Sequence, residues 1–289
     1  VASTITLKRR ITSIKGTRQI TKAMQLVSAS KLRRAQEQAQ LSRQYRDLAY
    51  EFLQRLNAIT EVEQQPLFKR HNVKSRLYVI VTSNTGLAGA YNYNVLKQLT
   101  SGLKRDRDDK VKSHVITIGS KGAQFVRRLS DVNLEAAYPP FGDRPTANDL
   151  RPILNTIINH YLGGTVDEVN VIYTQYKTTV TQIAQTQQIL PAPPIDKAEN
   201  VAPISNFEPD VETVIDQVTT RLIEAQLWQD VLESIASEHA MRMMATKNAT
   251  DNANDLIKDY TLELNTARQA DITQQIAEIS GGAEALSNA

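Results

Sequence analysis

Between Asp210 and Ser280 the sequence contains neither proline nor glycine, and apolar residues return every three or four positions. A stretch of that length without a helix breaker predicts one very long helix. Three runs each lay an apolar stripe along one face: Val211, Val214, Val218, Leu222 and Ala225; then Ile257, Tyr260, Leu264 and Ala267; then Ile272, Ile276, Ile279, Ala283 and Leu286. At a rise of about 1.5 Å per residue, such a helix reaches on the order of 100 Å. It cannot bury its own stripe and needs a partner.

The other end of the chain supplies one. No proline precedes Pro66, and Leu7, Ile11, Ile14, Ile20, Met24 and Val27, followed by Tyr45, Leu48, Phe52, Leu56 and Ile59, recur at helical spacing. The pattern predicts a helix over residues 4–59, with Gly16 a weak point that costs ~1 kcal/mol relative to alanine. Nine basic residues and no acid precede Glu37. A basic amphipathic start also fits a transit peptide, an anionic lipid surface, a nucleic-acid contact or a plain solvated face. The stripe, however, continues well past the basic block. Two breaker-free helices at opposite ends of one chain, each with a stripe to cover, predict an antiparallel coiled coil.

Between the helices the character changes. All ten prolines and eight of the eleven glycines fall between Pro66 and Pro209. Strands are expected at residues 76–82, 114–118 and 132–136, and a hairpin from 168–175 and 178–190. Helices are expected at 91–103 and 120–129, with a third capped by Thr146 or Asp149 that carries Pro152 in its first turn and stops at Gly163-Gly164. Strands alternating with helices imply a mainly parallel sheet with an antiparallel edge. The fold class is therefore α/β: a long antiparallel coiled coil of the terminal helices with an inserted Rossmann-like domain. The expected divisions are residues 1–60, 61–209 (including a linker at 191–209) and 210–289.

Signs of catalysis are sparse. Gly86-Leu87-Ala88-Gly89 follows the first strand and opens a helix, where a phosphate could meet backbone amides. The turn lacks the third glycine of a dinucleotide fingerprint, Gly119 stands where an acid would follow the second strand, and no GxxxxGK[ST] loop is present. No HExxH or GxSxG motif occurs. The absence of cysteine excludes disulfides, thiolate metal sites and cysteine nucleophiles. Histidines 71, 114, 160 and 239 lack second ligands at metal spacing. No stretch approaches the roughly eighteen apolar residues that span a bilayer. The expectation is a non-catalytic chain with no cofactor or metal and no nucleic-acid partner. Two other readings stand beside it: a nucleotide-binding regulator or enzyme built on the insert, and a coiled-coil scaffold for acidic partners.

Three motifs, in order, then carry a resemblance. Ile20 to Leu32 (ITKAMQLVSASKL), Ser83 to Asn92 (SNTGLAGAYN), and the pair Ser237 to Asp255 and Thr266 to Leu286 resemble the gamma-subunit family of the rotary proton-driven ATP synthase over the whole chain. The resemblance implies a central shaft inside a hexamer of alternating alpha and beta subunits. Its globular domain would rest with the epsilon subunit on the c-ring, one copy per complex, meeting the membrane only through that ring. It also implies rotor-stator or shaft contacts at Met24, Lys31, Arg33, Arg34, Arg242, Arg268, Gln269 and Thr273. The sequence departs from the family pattern at Asn84-Thr85, where an acid and a base are usual, and at Gln275, where a glutamate is usual. Without the insert or cysteine pair of photosynthetic relatives, the resemblance implies the cytoplasmic side of a bacterial plasma membrane, or alternatively the matrix side of the mitochondrial inner membrane.

Overall fold

The structure, a computed structural model, describes residues 3–57, 65–142, 145–195 and 210–287. The elements run α1 (Thr4–Asn57), β1 (Ser75–Val81), α2 (Tyr91–Asp108), β2 (Lys112–Ile118), α3 (Ser120–Val126), β3 (Asn133–Tyr138), α4 (Ala147–Leu162), β4 (Glu168–Tyr176), β5 (Gln182–Leu190) and α5 (Val211–Ser287). Two compact units result: residues 1–27 with 243–289, and residues 28–242. Ile59, most of the expected linker and the side chains of Val211 and Leu286 lie outside the described residues.

The larger unit is built on a five-stranded sheet of order β3-β2-β1-β4-β5. The first four strands are parallel, as crossover helices require, and β5 closes one edge antiparallel to β4. Alternation along β1 sorts the two faces. Tyr78 and Ile80 pack with Val95 and Leu99 of α2 and Val126 of α3. Leu77, Val79 and Val81 pack with Ile153 and Ile157 of α4 and with Ile223, Leu227 and Val231 of α5. Burial on both sides explains the unbroken β-branched run in β1, which alternation alone would not produce. The turn before α4 is closed by the Thr146 backbone N–H, which donates to the Asp149 carboxylate at 2.8 Å, so the two candidate caps work as a pair.

The element boundaries show two differences from expectation. The second hairpin strand starts at Gln182 rather than Thr178, because Thr178 to Thr181 forms the turn, with the Thr181 N–H donating to Thr178 Oγ1 at 3.0 Å. Its β-branched composition imitates a strand, while threonine hydroxyls also suit tight turns. Helix α2 runs on to Asp108, and the buried Asp106 in this added segment is paired with Arg76 of β1.

In the smaller unit, contacts between α1 and α5 are antiparallel. The Arg10 guanidinium lies 5.7 Å from the Tyr260 ring centre, Arg18 donates to Asn254 at 3.3 Å, and Thr21 and Thr250 share a 2.7 Å hydroxyl hydrogen bond. Among the buried and half-buried positions of α5 here, Thr246, Thr250, Ala253, Ile257, Tyr260, Leu264 and Ala267 recur in steps of three and four that average the 3.5 of a coiled coil. On α1 the matching seam is Leu7, Ile11, Ile14, Arg18, Thr21 and Gln25. The apolar stripe read from the sequence follows the seam at Leu7, Ile11 and Ile14 but leaves it at Ile20 and Val27, which are 62 % and 54 % exposed. In the larger unit Tyr45 and Leu48 also face outward, while the expected Leu56 is buried beside Leu53, and Leu32, Ala35 and Ser42 are buried before them. Small and polar residues such as Thr21, Ser28 and Ser42 are buried along the middle of α1, where larger apolar ones face outward. Ile272, Ile276 and Ile279 are exposed too, 45 %, 60 % and 73 %, so none of the described residues encloses this stripe.

The seam is open to a direct check. Mild oxidation of Thr21→Cys/Thr250→Cys is expected to close a disulfide, seen as a mobility shift on a non-reducing gel, because the two hydroxyls already touch and the sequence has no cysteine to compete. Ile20→Cys/Thr250→Cys is expected to stay open. The reverse result would place Ile20 in the seam.

Candidate functional site

The features singled out by the sequence converge in the larger unit, where β1 ends. After Val81 the chain turns through Ser83 to Ala90, and this turn supplies its own hydrogen bonds. The Ser83 N–H donates to Asn92 Oδ1 at 2.9 Å, Asn92 Nδ2 donates to Ser83 Oγ at 2.7 Å, and Ser83 Oγ donates to the Thr85 carbonyl at 2.8 Å. Leu87 and Gly89 both have positive φ, 59° and 56°, which turns the peptide planes sharply before α2 begins. The turn is thus braced from within by the first residues of the helix it introduces.

Arg242 of α5 packs against this turn. It is 6 % exposed. Its Nε donates to the Gly86 carbonyl at 3.3 Å, and Nη2 donates to the Thr85 carbonyl at 3.3 Å and to Thr85 Oγ1 at 3.1 Å. Nη1 pairs with Glu238 Oε1, one helical turn back, at 2.6 Å. Burial raises the Glu238 pKa, while Arg242 and then Lys31 pull it back down. The planar fork of arginine serves a carboxylate and two carbonyls at once, which a lysine could not do. Thr85 alone thus supplies two of the acceptors for Arg242, its carbonyl and its hydroxyl.

The same stretch of α5 is locked to the strand ends. Tyr91 Oη donates to the Val81 carbonyl at 3.2 Å and shares a 2.8 Å hydrogen bond with Ser234 Oγ. Ser237 Oγ donates to the Thr174 carbonyl at 2.9 Å. Enclosed within protein, the Tyr91 hydroxyl titrates far above its ordinary range, burial being the main cause. A cleft of about 320 Å3 opens beside this lock, bordered by Lys31 and Arg34 of α1, by Thr85 and Phe141, and by Glu238 and Arg242.

The candidate residues divide accordingly. Lys31, Arg34 and Arg242 border one cleft. Arg33 is 84 % exposed at its side chain and pairs with Glu37 at 3.2 Å. Met24, half-buried, belongs to the smaller unit, as do the exposed Arg268, Gln269 and Thr273, with Thr273 Oγ1 donating to the Gln269 carbonyl at 2.9 Å. Sequence reasoning missed the turn acceptors of Arg242, which lie 156 and 157 residues away along the chain. It could have found Glu238, which stands four residues before Arg242 at the spacing of a helical ion pair. Chemically the arrangement is a clamp: a buried guanidinium fixes α5 to the sheet end. Among the described residues, no group of three or more His, Cys, Asp or Glu side chains could hold a metal ion.

Arg242→Ala leaves Glu238 half-buried with its main partner gone, and breaking such a pair costs about 3–5 kcal/mol. Denaturant unfolding of the full chain is expected to show a loss of that order, with Glu238→Gln/Arg242→Ala recovering part of it because no anion is then stranded. Equal losses in the single and double variants would mean that the backbone contacts, not the ion pair, hold the clamp.

Comparison with known proteins places this architecture. The family profile described as ATP synthase matches residues 3–286. The chain is 37 % identical over 294 residues to the ATP synthase gamma chain of Psychrobacter arcticus, covering 99 % of this chain and 100 % of that one. It is 40 % identical over 287 residues to that of Roseiflexus sp. RS-1, covering 98 % of both. Among solved structures, a chain from the Euglena gracilis mitochondrial ATP synthase, with OSCP, F1 and c-ring in rotational state 3, superposes with a TM-score of 0.70 at 16 % identity, covering 98 % of this chain and 94 % of that one. A chain from the Tetrahymena thermophila mitochondrial central stalk and c-ring gives 0.61 at 22 % identity, covering 80 % and 99 %.

Proposed function

Because the chain belongs to the ATP synthase gamma-chain family, we propose that it works as the central rotor shaft of that enzyme, carrying proton-driven rotation of the c-ring to the catalytic hexamer. The observation that carries the mechanism is the outward-facing apolar surface of the smaller unit. Ile20 and Val27 of α1 stand exposed beside the seam, and Ile272, Ile276 and Ile279 of α5 stand exposed beyond its end. An apolar surface of this kind on a soluble helix pair marks a place where other protein fits. Alpha and beta subunits form that sleeve, and the tip turns within it as a bearing. In this reading residues 1–60 and 210–289 serve as the shaft, and residues 61–209 as the foot that meets the epsilon subunit and the c-ring.

The chain contributes no bond-making group. It is a subunit of ATP synthase whose part is to change the affinities of three catalytic sites in turn as an asymmetric body rotates among them, so ATP forms and leaves on other subunits. Among the described residues no helix is long and apolar enough to cross a membrane, which fits membrane contact through the c-ring alone. The bacterial relatives favour the plasma membrane of a bacterium, with the shaft on its cytoplasmic side.

The proposed contact residues fall into two groups. Lys31, Arg33, Arg34, Arg268, Gln269 and Thr273 offer charge and hydrogen bonds to acidic and polar stator loops, an attraction that weakens with salt, and Met24 offers an apolar contact. Arg242 serves inside the chain, as the clamp of α5. Replacing Lys31, Arg33 and Arg34 together by alanine is expected to change the turnover or torque of the assembled enzyme while its thermal unfolding stays put. Unchanged torque and rate would reduce the three to a solvated face.

Reconstitution tests the function itself. The chain alone is expected to hydrolyse no ATP, and with alpha and beta subunits to give a complex whose native mass fits three copies of each and one of this chain. Truncation after Arg268 is expected to weaken assembly yet leave some hydrolysis and rotation. Complete loss of hydrolysis in a fully assembled truncated complex would overturn the bearing and make the tip a signalling element.

A further inference from the structure

Within the larger unit, α5 buries two acids three residues apart on the side that faces the β4–β5 edge and α1. Asp230 is 1 % and Glu233 6 % exposed. Each has one oxygen accounted for. Asp230 Oδ1 accepts from Gln226 Nε2 at 2.9 Å, while Glu233 Oε1 accepts from Gln229 Nε2 at 2.9 Å and from Arg43 Nη2 at 3.1 Å. The other two oxygens, Asp230 Oδ2 and Glu233 Oε2, are buried without a hydrogen-bond partner. Both acids line a cleft of about 400 Å3.

The remaining groups around this cleft do not settle the charge. From α1, Arg43 is committed to Glu233, and Arg46 donates to its neighbour Asp47 at 2.7 Å. From β4, the Tyr173 hydroxyl lies between Gln187, to which it donates at 3.1 Å, and Gln185, from which it accepts, and it also hydrogen-bonds Asp230, a neutral contact that brings no positive charge; Gln175, Gln185 and Gln187 are neutral too. Two buried carboxylates a helical turn apart would then share one bonded cation, an arrangement that desolvation makes very costly. A single proton removes the difficulty. It turns one acceptor oxygen into a donor.

We infer that Asp230 is a proton-binding site, neutral at physiological pH, whose Oδ2 proton is donated to the Glu233 carboxylate, the partner of Arg43. Asp230 takes the proton because it lacks the arginine that Glu233 has. Its titration agrees: burial above all pushes the Asp230 carboxyl well above the usual carboxylate range. The Gln226 hydrogen bond opposes this, the Glu233 charge adds to it, and Arg46 and Tyr173 oppose more weakly. The bound proton thereby joins α1, α5 and the sheet edge at one point. The inference rests on this unit's geometry and is independent of the rotor reading.

The sign of the pH effect follows. With its folded pKa above the unfolded one, Asp230 gives its full contribution below the unfolded value, and that contribution is lost as pH rises toward the folded value, at up to ~tenfold in the folding equilibrium per pH unit. Asp230→Asn keeps the shape and the donor but cannot ionise. Denaturant titration of the full chain from pH 5 to 8.5 is expected to show wild type and D230N converging at the acid end and D230N gaining as pH rises, by up to ~tenfold per unit. Infrared spectra of the full chain carrying 13C-labelled aspartate are expected to show a protonated-carboxyl band at pH 7 that shifts with the label and disappears in D230N. Glu233→Gln is expected to move its titration to lower pH. Parallel stability curves across the range would overturn the proposal. So would the lack of a label-sensitive band in wild type, a measurement that remains decisive if D230N fails to fold.

Discussion

The structure depends on α5 being buried from two directions at once. From Leu222 to Ser234 nearly every position is buried or half-buried, because one face of the helix closes the sheet while the other meets α1. An ordinary surface helix keeps about a third of its circumference apolar and leaves the rest to water. Here water has almost no face left. Polar side chains retained in such a helix must find partners inside the protein, and Ser234, Ser237 and Arg242 do so at the ends of β1 and β4. Each of those bonds has one position along the helix at which it can form. They fix α5 against sliding and rotation far more sharply than interchangeable leucines would.

Much of the architecture was legible in the sequence for a simple reason: proline and glycine are segregated. Breakers confined to the middle of the chain delimit the terminal helices, and alternating β-branched runs with capped helices reveal the doubly covered sheet. The buried face of α1 was legible at Leu7, Ile11, Ile14 and Leu56 but not between them. Hydrophobicity favours Ile20, Val27 and Leu48, yet these are exposed, while Thr21, Ser28 and Ser42 are buried. Helices packed closely along a shared 3.5-residue repeat select small side chains, and periodicity scored on apolar character follows the outer surface instead. A chain whose apolar residues await other subunits defeats the assumption that its stripe points to its own core.

The contact residues were legible to a different degree. Lys31, Arg34 and Arg242 could be named from motif resemblance, but their meeting in one place depends on a chain reversal that brings the glycine turn against α5. No local pattern encodes an arginine donating to carbonyls more than 150 residues earlier. The glycine turn also shows why such a motif is ambiguous on sequence grounds. Positive φ at Leu87 and Gly89 is as useful for presenting carbonyls to a buried guanidinium as for presenting amides to a phosphate.

The outward isoleucines have a bearing on the life of the protein before it reaches its complex. A newly made copy carries Ile20, Ile272, Ile276 and Ile279 into water, and none of the described residues encloses them. Exposed apolar surface of this kind favours self-association, so on the proposed reading a copy outside its complex is the form open to aggregation and turnover. The level of free chain is then set by how fast that surface is enclosed, a stoichiometric control written into the surface of two helices.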